Sequence, residues 1–142
     1  KWWNLRYKLI PYILRESEKA VSGGSTVLQA LIFHHPHDKV CWHIDDEYYF
    51  GDDFLVAPVM NSEGRRDVYL PEGRWVNFFT GERIEGGRWL YGLEVPLELM
   101  PVYVREGAVI PVYPEHVECT DEMDLTKTVE LVIDDTFKGI EL

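Results

Sequence analysis

Long apolar runs, an excess of positive charge and metal-binding cysteine patterns are all missing from this sequence of 142 residues. No apolar run is long enough to span a bilayer, so a membrane function is not expected. Acidic residues outnumber basic ones by 25 to 14, and the resulting net charge of -11 repels the phosphate backbone of nucleic acids. No Cys/His spacing typical of zinc sites is present, and we therefore expect no metal site.

Cysteine is scarce, with Cys41 and Cys119 far apart in the sequence. Two free thiols in a reducing compartment are favoured over a disulfide. No signal peptide is visible, and the chain opens at Lys1 without an initiator methionine, so it is interpreted as a piece of a longer protein. The cellular location is left open, with the cytoplasm slightly favoured.

The N-terminal part of the chain has the pattern of half an α/β repeat. Apolar spacing predicts a helix over residues 2–22, in which Pro11 marks a kink or the first turn of a second half. The pair Gly23-Gly24 predicts the end of that helix. The nearly continuous apolar run Val27–Phe33 predicts a strand buried on both faces, as in a parallel sheet. A polar loop over His34–Glu47 is expected to follow that strand.

After Gly51 the pattern changes to short strand-like runs with turns between them. Turn residues such as Pro71-Glu72-Gly73 and Gly86-Gly87 recur, which is typical of an antiparallel sandwich. Residues 113–125 are polar and acidic and are interpreted as a surface connection. The strand candidates lie at residues 54–59, 68–70, 75–79, 88–91, 100–104, 108–112 and 127–133.

Several motifs then occur in an order that has a counterpart among known enzymes. Tyr48–Val59 contains a Gly-Asp-x-x-Leu-Val-Ala-Pro-Val pattern, and Arg6–Tyr12 contains Arg-x-x-Leu-x-Pro-Tyr. Tyr69–Trp75 has the form Tyr-Leu-Pro-x-Gly-x-Trp, and Met100–Pro111 contains Pro-Val-Tyr-Val-Arg before a glycine and a second proline. In this order the motifs resemble glycoside hydrolase family 31, and the resemblance covers residues 4–112.

The resemblance implies an α+β chain, in which the last helix and strand of a (β/α)8 barrel are followed by an antiparallel β-sandwich domain. Residues 1–50 are then the incomplete end of the catalytic barrel, and residues 51–125 are the proximal β-domain. Residues 126–142 form a further strand, at the truncated end of that domain or at the start of the next.

The resemblance also carries an activity. Members of the family are retaining α-glycosidases that use no cofactor and act on α-linked oligosaccharides or glycosides. Two Asp side chains perform the chemistry, and in the family they lie on earlier barrel strands. The resemblance therefore implies no catalytic residue in this chain, which by itself is expected to be inactive.

His34, His35 and Asp38 are the candidate substrate-binding residues, because the resemblance puts their loop on the active-site face of the barrel. The family usually has Arg where Gln29 stands, and its loop normally reads closer to Glu-Phe-Pro-x-Asp, so the type of sugar is left open. A metal role for the histidines is not expected, since no recognised ligand spacing is present. Asp52 is interpreted as a structural hydrogen-bonding residue.

Two other function classes are kept beside the α-glycosidase hypothesis. One is a free-standing carbohydrate-binding β-sandwich module with an N-terminal helix. Trp75, Trp89 and Tyr91 could stack on sugars, but packing in a core or interface is the favoured interpretation of these residues. A buried parallel strand at Val27–Phe33 would argue against such a module. The other class is an assembly domain that contacts neighbouring subunits.

A chain separated from its barrel should expose apolar surface at its α/β end. Dimerisation, as a homo-oligomer, or aggregation is the expected consequence of such a surface. The side chains expected to be exposed are those of Trp2, Trp3, Leu5 and residues 27–33.

Overall fold

A computed structural model describes all 142 residues. The helices are α1 (Trp2–Lys8), α2 (Ile10–Gly23) and α3 (Leu31–His34), and short 3-10 turns lie at Thr120–Glu122 and Leu125–Lys127. The strands are β1 (Leu28–Gln29), β2 (Tyr48–Phe50), β3 (Phe54–Val56), β4 (Arg65–Leu70), β5 (Arg74–Asn77), β6 (Arg83–Glu85), β7 (Arg88–Glu94), β8 (Val102–Arg105), β9 (Val109–Val112) and β10 (Val129–Val132).

The predicted N-terminal helix forms as two helices that meet at Leu9. Pro11 lies in the first turn of α2, where its missing N–H costs no intrahelical hydrogen bond. Gly24 ends α2 in the left-handed conformation, with φ 70°. Glycine adopts that conformation without a Cβ penalty. Both sequence signals therefore fall where they were predicted.

The prediction of a buried parallel strand over Val27–Phe33 is wrong. Only Leu28 and Gln29 form a strand, and they pair antiparallel with β2, while the rest of the run becomes the single turn of α3. Leu31 is fully buried by this turn, whereas Leu28 is 59% and Phe33 75% exposed. A short apolar run does not distinguish a strand from a helix, and here the adjacent β2 offers only an antiparallel partner. This segment therefore does not discriminate an enzyme fragment from a binding module.

The β-part consists of one six-stranded antiparallel sheet and two antiparallel pairs. The sheet has the order β1-β2-β3-β8-β5-β6, and the pairs are β4 with β7 and β9 with β10. Each strand candidate after Gly51 contains a strand, which confirms the predicted antiparallel β-part. Strands β2 and β6 were not predicted, and β1 is a two-residue part of the run predicted as a parallel strand.

Both faces of the sheet are covered, so the arrangement resembles a sandwich with two cores. Alternation along β3 assigns Phe54 and Val56 to one core and Leu55 to the other. The first core also receives Tyr12 of α2 and Ile110 of β9. The second is closed by β4, β7 and the segment around α3, with Leu31, Cys41, Tyr49, Val68, Leu70, Trp75 and Tyr103 among its members.

The turn between β2 and β3 is held against α2 by charged groups. Arg15 donates to the Asp53 carboxylate at 2.7 Å, and Lys19 pairs with Glu16 at 2.9 Å. Glu16 is 4% exposed and also accepts from the Asp52 backbone N–H at 3.3 Å. The Asp52 carboxylate pairs with Lys19 at 3.2 Å, in line with its predicted structural role.

The two cysteines are free thiols, as predicted, with Cys41 buried and Cys119 exposed. No helix in the structure combines the length and the apolar character that a membrane span requires. Residues 113–125 form a surface connection as expected, although Tyr113 and Val117 are buried.

Large apolar side chains are exposed at the α/β end of the chain, as predicted. Trp2 is 39% and Trp3 57% exposed, in addition to Leu28 and Phe33. Leu5 is an exception to the prediction, because it is 8% exposed and packs in the first core beside Leu9.

Candidate functional site

The three predicted site residues lie together in one open cleft. His34, His35 and Asp38 contribute to a cleft of about 690 Å³, whose opposite wall comes from β4 and the turns around β5 and β7. That wall is formed by Tyr69, Glu72, Gly86 and Gly87. We call the segment His34–Asp38 the histidine loop and the space beside it the histidine cleft.

Tyr49 on β2 contacts two residues of the histidine loop, His34 and His35. The ring of His34 stacks on the ring of Tyr49 with centroids 4.0 Å apart, and His35 Nε2 lies 2.6 Å from the Tyr49 hydroxyl. Arg105 donates to the same hydroxyl oxygen at 3.2 Å. The Tyr49 O–H can donate to Nε2 of a neutral His35 that carries its proton on Nδ1, since the donor in this contact depends on the tautomer of His35.

Burial and a nearby positive charge favour the uncharged forms of His34 and His35. Burial lowers the pKa of His34 and of His35, and the guanidinium of Arg105 lowers both further. His34 Nε2 is buried and has no hydrogen-bond partner within the chain. The rings of His34 and His35 are therefore neutral at neutral pH, and Asp38 supplies a negative charge beside them.

The Asp38 carboxylate is held by donors on both oxygens. It accepts from the Tyr69 hydroxyl at 2.7 Å and from the Val40 backbone N–H at 3.0 Å. Burial opposes the charged form, but these hydrogen bonds outweigh it and lower the pKa of Asp38. Asp38 therefore remains ionised at neutral pH and joins the histidine loop to β4.

Nothing in the histidine cleft is arranged for metal binding or for nucleophilic attack. No group of three or more His, Cys, Asp and Glu side chains converges closely enough to hold an ion. The cleft carboxylates belong to Asp38 and Glu72, and the first is already engaged by Tyr69 and Val40. The cleft therefore presents histidine rings, the Tyr69 side chain and two carboxylates.

The aromatic residues of the β-part differ in their roles. Trp75 is 1% exposed and donates to the Pro71 carbonyl at 2.9 Å, so its predicted core packing is confirmed. Trp89 is half-buried against the second core. Tyr91 is 74% exposed and does not pack in either core.

Glu47, which binds the backbone of the cleft residue Tyr69, is a buried acid that the sequence did not single out. Its Oε1 accepts from the Tyr69 backbone N–H at 2.7 Å and lies 3.4 Å from Arg66 Nη2, while Oε2 is buried without a partner. Burial raises the pKa of Glu47 to about 7. Its signal in the sequence was weak, because an acid in the acidic run Asp45-Asp46-Glu47 looks exposed.

Glu47 is expected to make the chain less stable as pH rises from about 4.5 to about 7. Its raised pKa means that the folded state binds the proton more tightly than the unfolded state, so the contribution is present at low pH and lost towards pH 7. The change is on the order of 3 kcal/mol. Glu47→Gln should remove it, as measured by the difference between urea-unfolding free energies at pH 5 and pH 8.

Asp46→Asn is the matched control for Glu47→Gln. Asp46 pairs with the same guanidinium at 3.2 Å but is about half exposed. This variant should keep most of the pH dependence of the parent chain, because the charge of Asp46 is the smallest of the causes that act on the pKa of Glu47. An unchanged pH dependence in Glu47→Gln would show that the buried carboxyl does not titrate in this range.

Comparison with known proteins identifies the family. The family model for the glycosyl hydrolase family 31 C-terminal domain matches residues 24–110. This range is more than half of the chain and includes the histidine loop and strands β1 to β8. The chain belongs to glycosyl hydrolase family 31. The resemblance found in the sequence motifs is thereby confirmed.

Family 31 relatives are similar over most of this chain. It is 37% identical to an α-xylosidase of Saccharolobus solfataricus over 86% of its length, and 34% identical to α-glucosidase 2 of Bacillus thermoamyloliquefaciens over 78%. It spans only 17% and 14% of those two proteins. The chain therefore corresponds to a small C-terminal part of family 31 glycosidases.

Solved family 31 structures share the fold. The α-xylosidase of Xanthomonas citri is 36% identical with a TM-score of 0.77, and the match covers 84% of this chain and 13% of that one. A dextranase of Flavobacterium johnsoniae complexed with glucose is 32% identical with a TM-score of 0.76, covering 82% and 15%. Both confirm the mostly antiparallel β architecture.

Proposed function

We propose that this chain is the structural C-terminal part of a retaining α-glycosidase that hydrolyses α-linked oligosaccharides or glycosides. Residues 1–50 are the end of the catalytic barrel, residues 51–125 the proximal β-domain, and residues 126–142 a further strand. The observation that carries the proposal is the family 31 match over residues 24–110 together with relatives named α-xylosidase and α-glucosidase.

The catalytic carboxylates belong, in this proposal, to barrel strands that precede Lys1. A retaining enzyme needs two carboxyl groups about 5–5.5 Å apart on either side of the glycosidic bond. The carboxylates of Glu16, Asp52 and Asp53 are instead engaged in ion pairs with Arg15 and Lys19 at a turn. This chain supplies structural packing and the rim of the active site, and the barrel strands before Lys1 supply the catalytic residues.

His34, His35 and Asp38 form that rim and contact the substrate. Their neutral rings and single ionised carboxylate suit the hydroxyl groups of a sugar, which accept and donate hydrogen bonds. Relatives of both α-xylosidase and α-glucosidase type are similar to this chain, so either sugar fits the proposal. A related dextranase, 28% identical, was solved with isomaltotriose, which supports an oligosaccharide substrate.

The exposed apolar side chains of the α/β end pack against the rest of the barrel. Trp2, Trp3, Leu28 and Phe33 present apolar area that the remainder of a barrel would bury. The isolated chain then self-associates through the same side chains. The proposal thus assigns these residues a partner within the longer protein.

Mixing this chain with a barrel protein that stops before Lys1 is expected to restore α-glycosidase activity in a saturable manner. Activity should follow formation of a one-to-one complex, measured by titration calorimetry beside the hydrolysis rate. The double variant Leu28→Asp/Phe33→Asp should abolish both, while Met60→Asp, at a side chain 74% exposed in the loop between β3 and β4, should not. A barrel protein that is fully active alone, or that ignores the chain, would contradict the proposal.

A further inference from the structure

Three aromatic rings, one on β4 and two on β7, form a row that runs from the histidine cleft to the exposed surface. Tyr69 lines the cleft, and its ring centroid lies 5.3 Å from that of Trp89. The Trp89 centroid lies 6.3 Å from that of Tyr91, with ring planes only 21° apart. Exposure rises along this aromatic row (Tyr69, Trp89, Tyr91), from 6% at Tyr69 to 74% at Tyr91.

The backbone fixes the exposed end of the aromatic row. The register of β4 and β7 shifts between Arg66 and Val68, so Tyr91 and Gly92 together lie opposite Asp67. Gly92 has φ 61°, and its N–H donates to the Asp67 carboxylate at 2.7 Å. A bulge of this kind re-aims the neighbouring side chain. Tyr91 is therefore presented outward by a hydrogen-bonded irregularity of the strand pair.

The chemistry of the aromatic row favours a sugar chain over an apolar partner. A pyranose ring has C–H groups on its faces, which pack on aromatic rings, and hydroxyl groups at its edge, which need polar partners. Exposed charged residues lie on the same two strands as the row, namely Asp67 on β4 and Arg88 and Glu94 at the ends of β7. The neighbouring aliphatic side chain on β7, Leu90, is turned towards the second core. Flat rings beside polar groups match such a ring better than they match an aliphatic surface.

We propose that the aromatic row binds those sugar units of an oligosaccharide or polysaccharide that extend beyond the histidine cleft. This inference rests on the proposed function, and it narrows the substrate from a simple glycoside to an extended carbohydrate chain. The row is continuous with the histidine cleft through Tyr69, whose hydroxyl also holds Asp38 at 2.7 Å. The most exposed ring, Tyr91, takes the most distant unit.

The test is made in the longer protein with a complete barrel, using Tyr91→Ala, Tyr91→Phe and the control Met60→Ala. Met60 is exposed to the same 74% as Tyr91 and lies outside the row. KM is measured for the 4-nitrophenyl α-glycoside that the protein hydrolyses and for dextran, soluble starch and xyloglucan. Tyr91→Ala should raise KM about tenfold for at least one polymer, equivalent to about 1.4 kcal/mol. Its KM for the small substrate should not change.

The two remaining variants and a binding assay complete the test. Tyr91→Phe should behave like the parent protein because the ring face is retained. Met60→Ala should leave KM unchanged for the small substrate and for every polymer. If KM for every polymer is the same in the parent protein and in Tyr91→Ala, the proposal that the aromatic row binds sugar is wrong, while the proposed function is unaffected. A change of oligomeric state in Tyr91→Ala would also overturn it, because the face would then be an interface between copies.

Absence of hydrolysis on every substrate would instead count against the proposed function. In that case, native electrophoresis in gels that each contain one of the polymers tests whether the aromatic row binds sugar. Retardation of the parent protein that is lost in Tyr91→Ala supports the row as a sugar-binding surface. No retardation, or equal retardation of both proteins, overturns it.

Discussion

Gly51→Ala is expected to lower the free energy of unfolding by about 3 kcal/mol or more, from left-handed backbone strain and overpacking together. Gly51 has φ 64°, and a Cβ there would clash with the Tyr12 hydroxyl and lie 2.6 Å from Glu16 Cγ. Tyr12 is fully buried, and its hydroxyl donates to the Phe50 carbonyl at 2.8 Å and accepts from the Asp53 N–H at 3.2 Å. Urea unfolding followed by tryptophan fluorescence measures the loss.

Gly24→Ala separates the two causes. Gly24 has nearly the same backbone conformation, with φ 70°, but a Cβ there would meet nothing within 4 Å. Its loss should therefore be confined to the strain of the left-handed conformation, about 1 kcal/mol. Equal losses in the two variants would mean that Tyr12 moves aside freely and that the turn between β2 and β3 is not fixed by α2.

The strands after Gly51 were predictable because their signals are local. β-Branched and aromatic residues alternate over a few positions, and a glycine or proline turn follows each run. Strand β6 lacks that signal, since Arg83-Ile84-Glu85 contains a single apolar residue and becomes a strand by pairing with β5. Val27–Phe33 has the opposite difficulty, because its apolar run is compatible with either kind of element.

The candidate site was predictable only on one side. His34, His35 and Asp38 lie within five residues of one another in the sequence. A single predicted polar loop therefore contained all three. The opposite wall comes from Tyr69, Glu72 and Gly86-Gly87, which the sequence assigned to strands and turns. The hydrogen bond that brings Tyr69 to Asp38 spans 31 residues, and such pairing is set by sheet packing that no local pattern contains.

Hydrolysis of 4-nitrophenyl α-glucoside and α-xyloside is the most direct test of the central claim, that this chain carries structure and no catalytic carboxylates. The chain is compared with a longer protein that includes the whole barrel upstream of Lys1. The longer protein should exceed the uncatalysed rate by at least about 10⁶-fold, as enzymes do. The chain alone should not exceed that uncatalysed rate, because no carboxylate pair in it is available to flank a glycosidic bond.

Activity in the chain alone would contradict the account. Asp38→Ala in the short chain is the control, since loss of that activity would trace it to the histidine cleft and exclude a contaminating enzyme. Failure of the longer protein to cleave either substrate would instead refute the α-glycosidase assignment and direct attention to Gln29 and the histidine loop. Cleavage by the longer protein alone is the result that the account predicts.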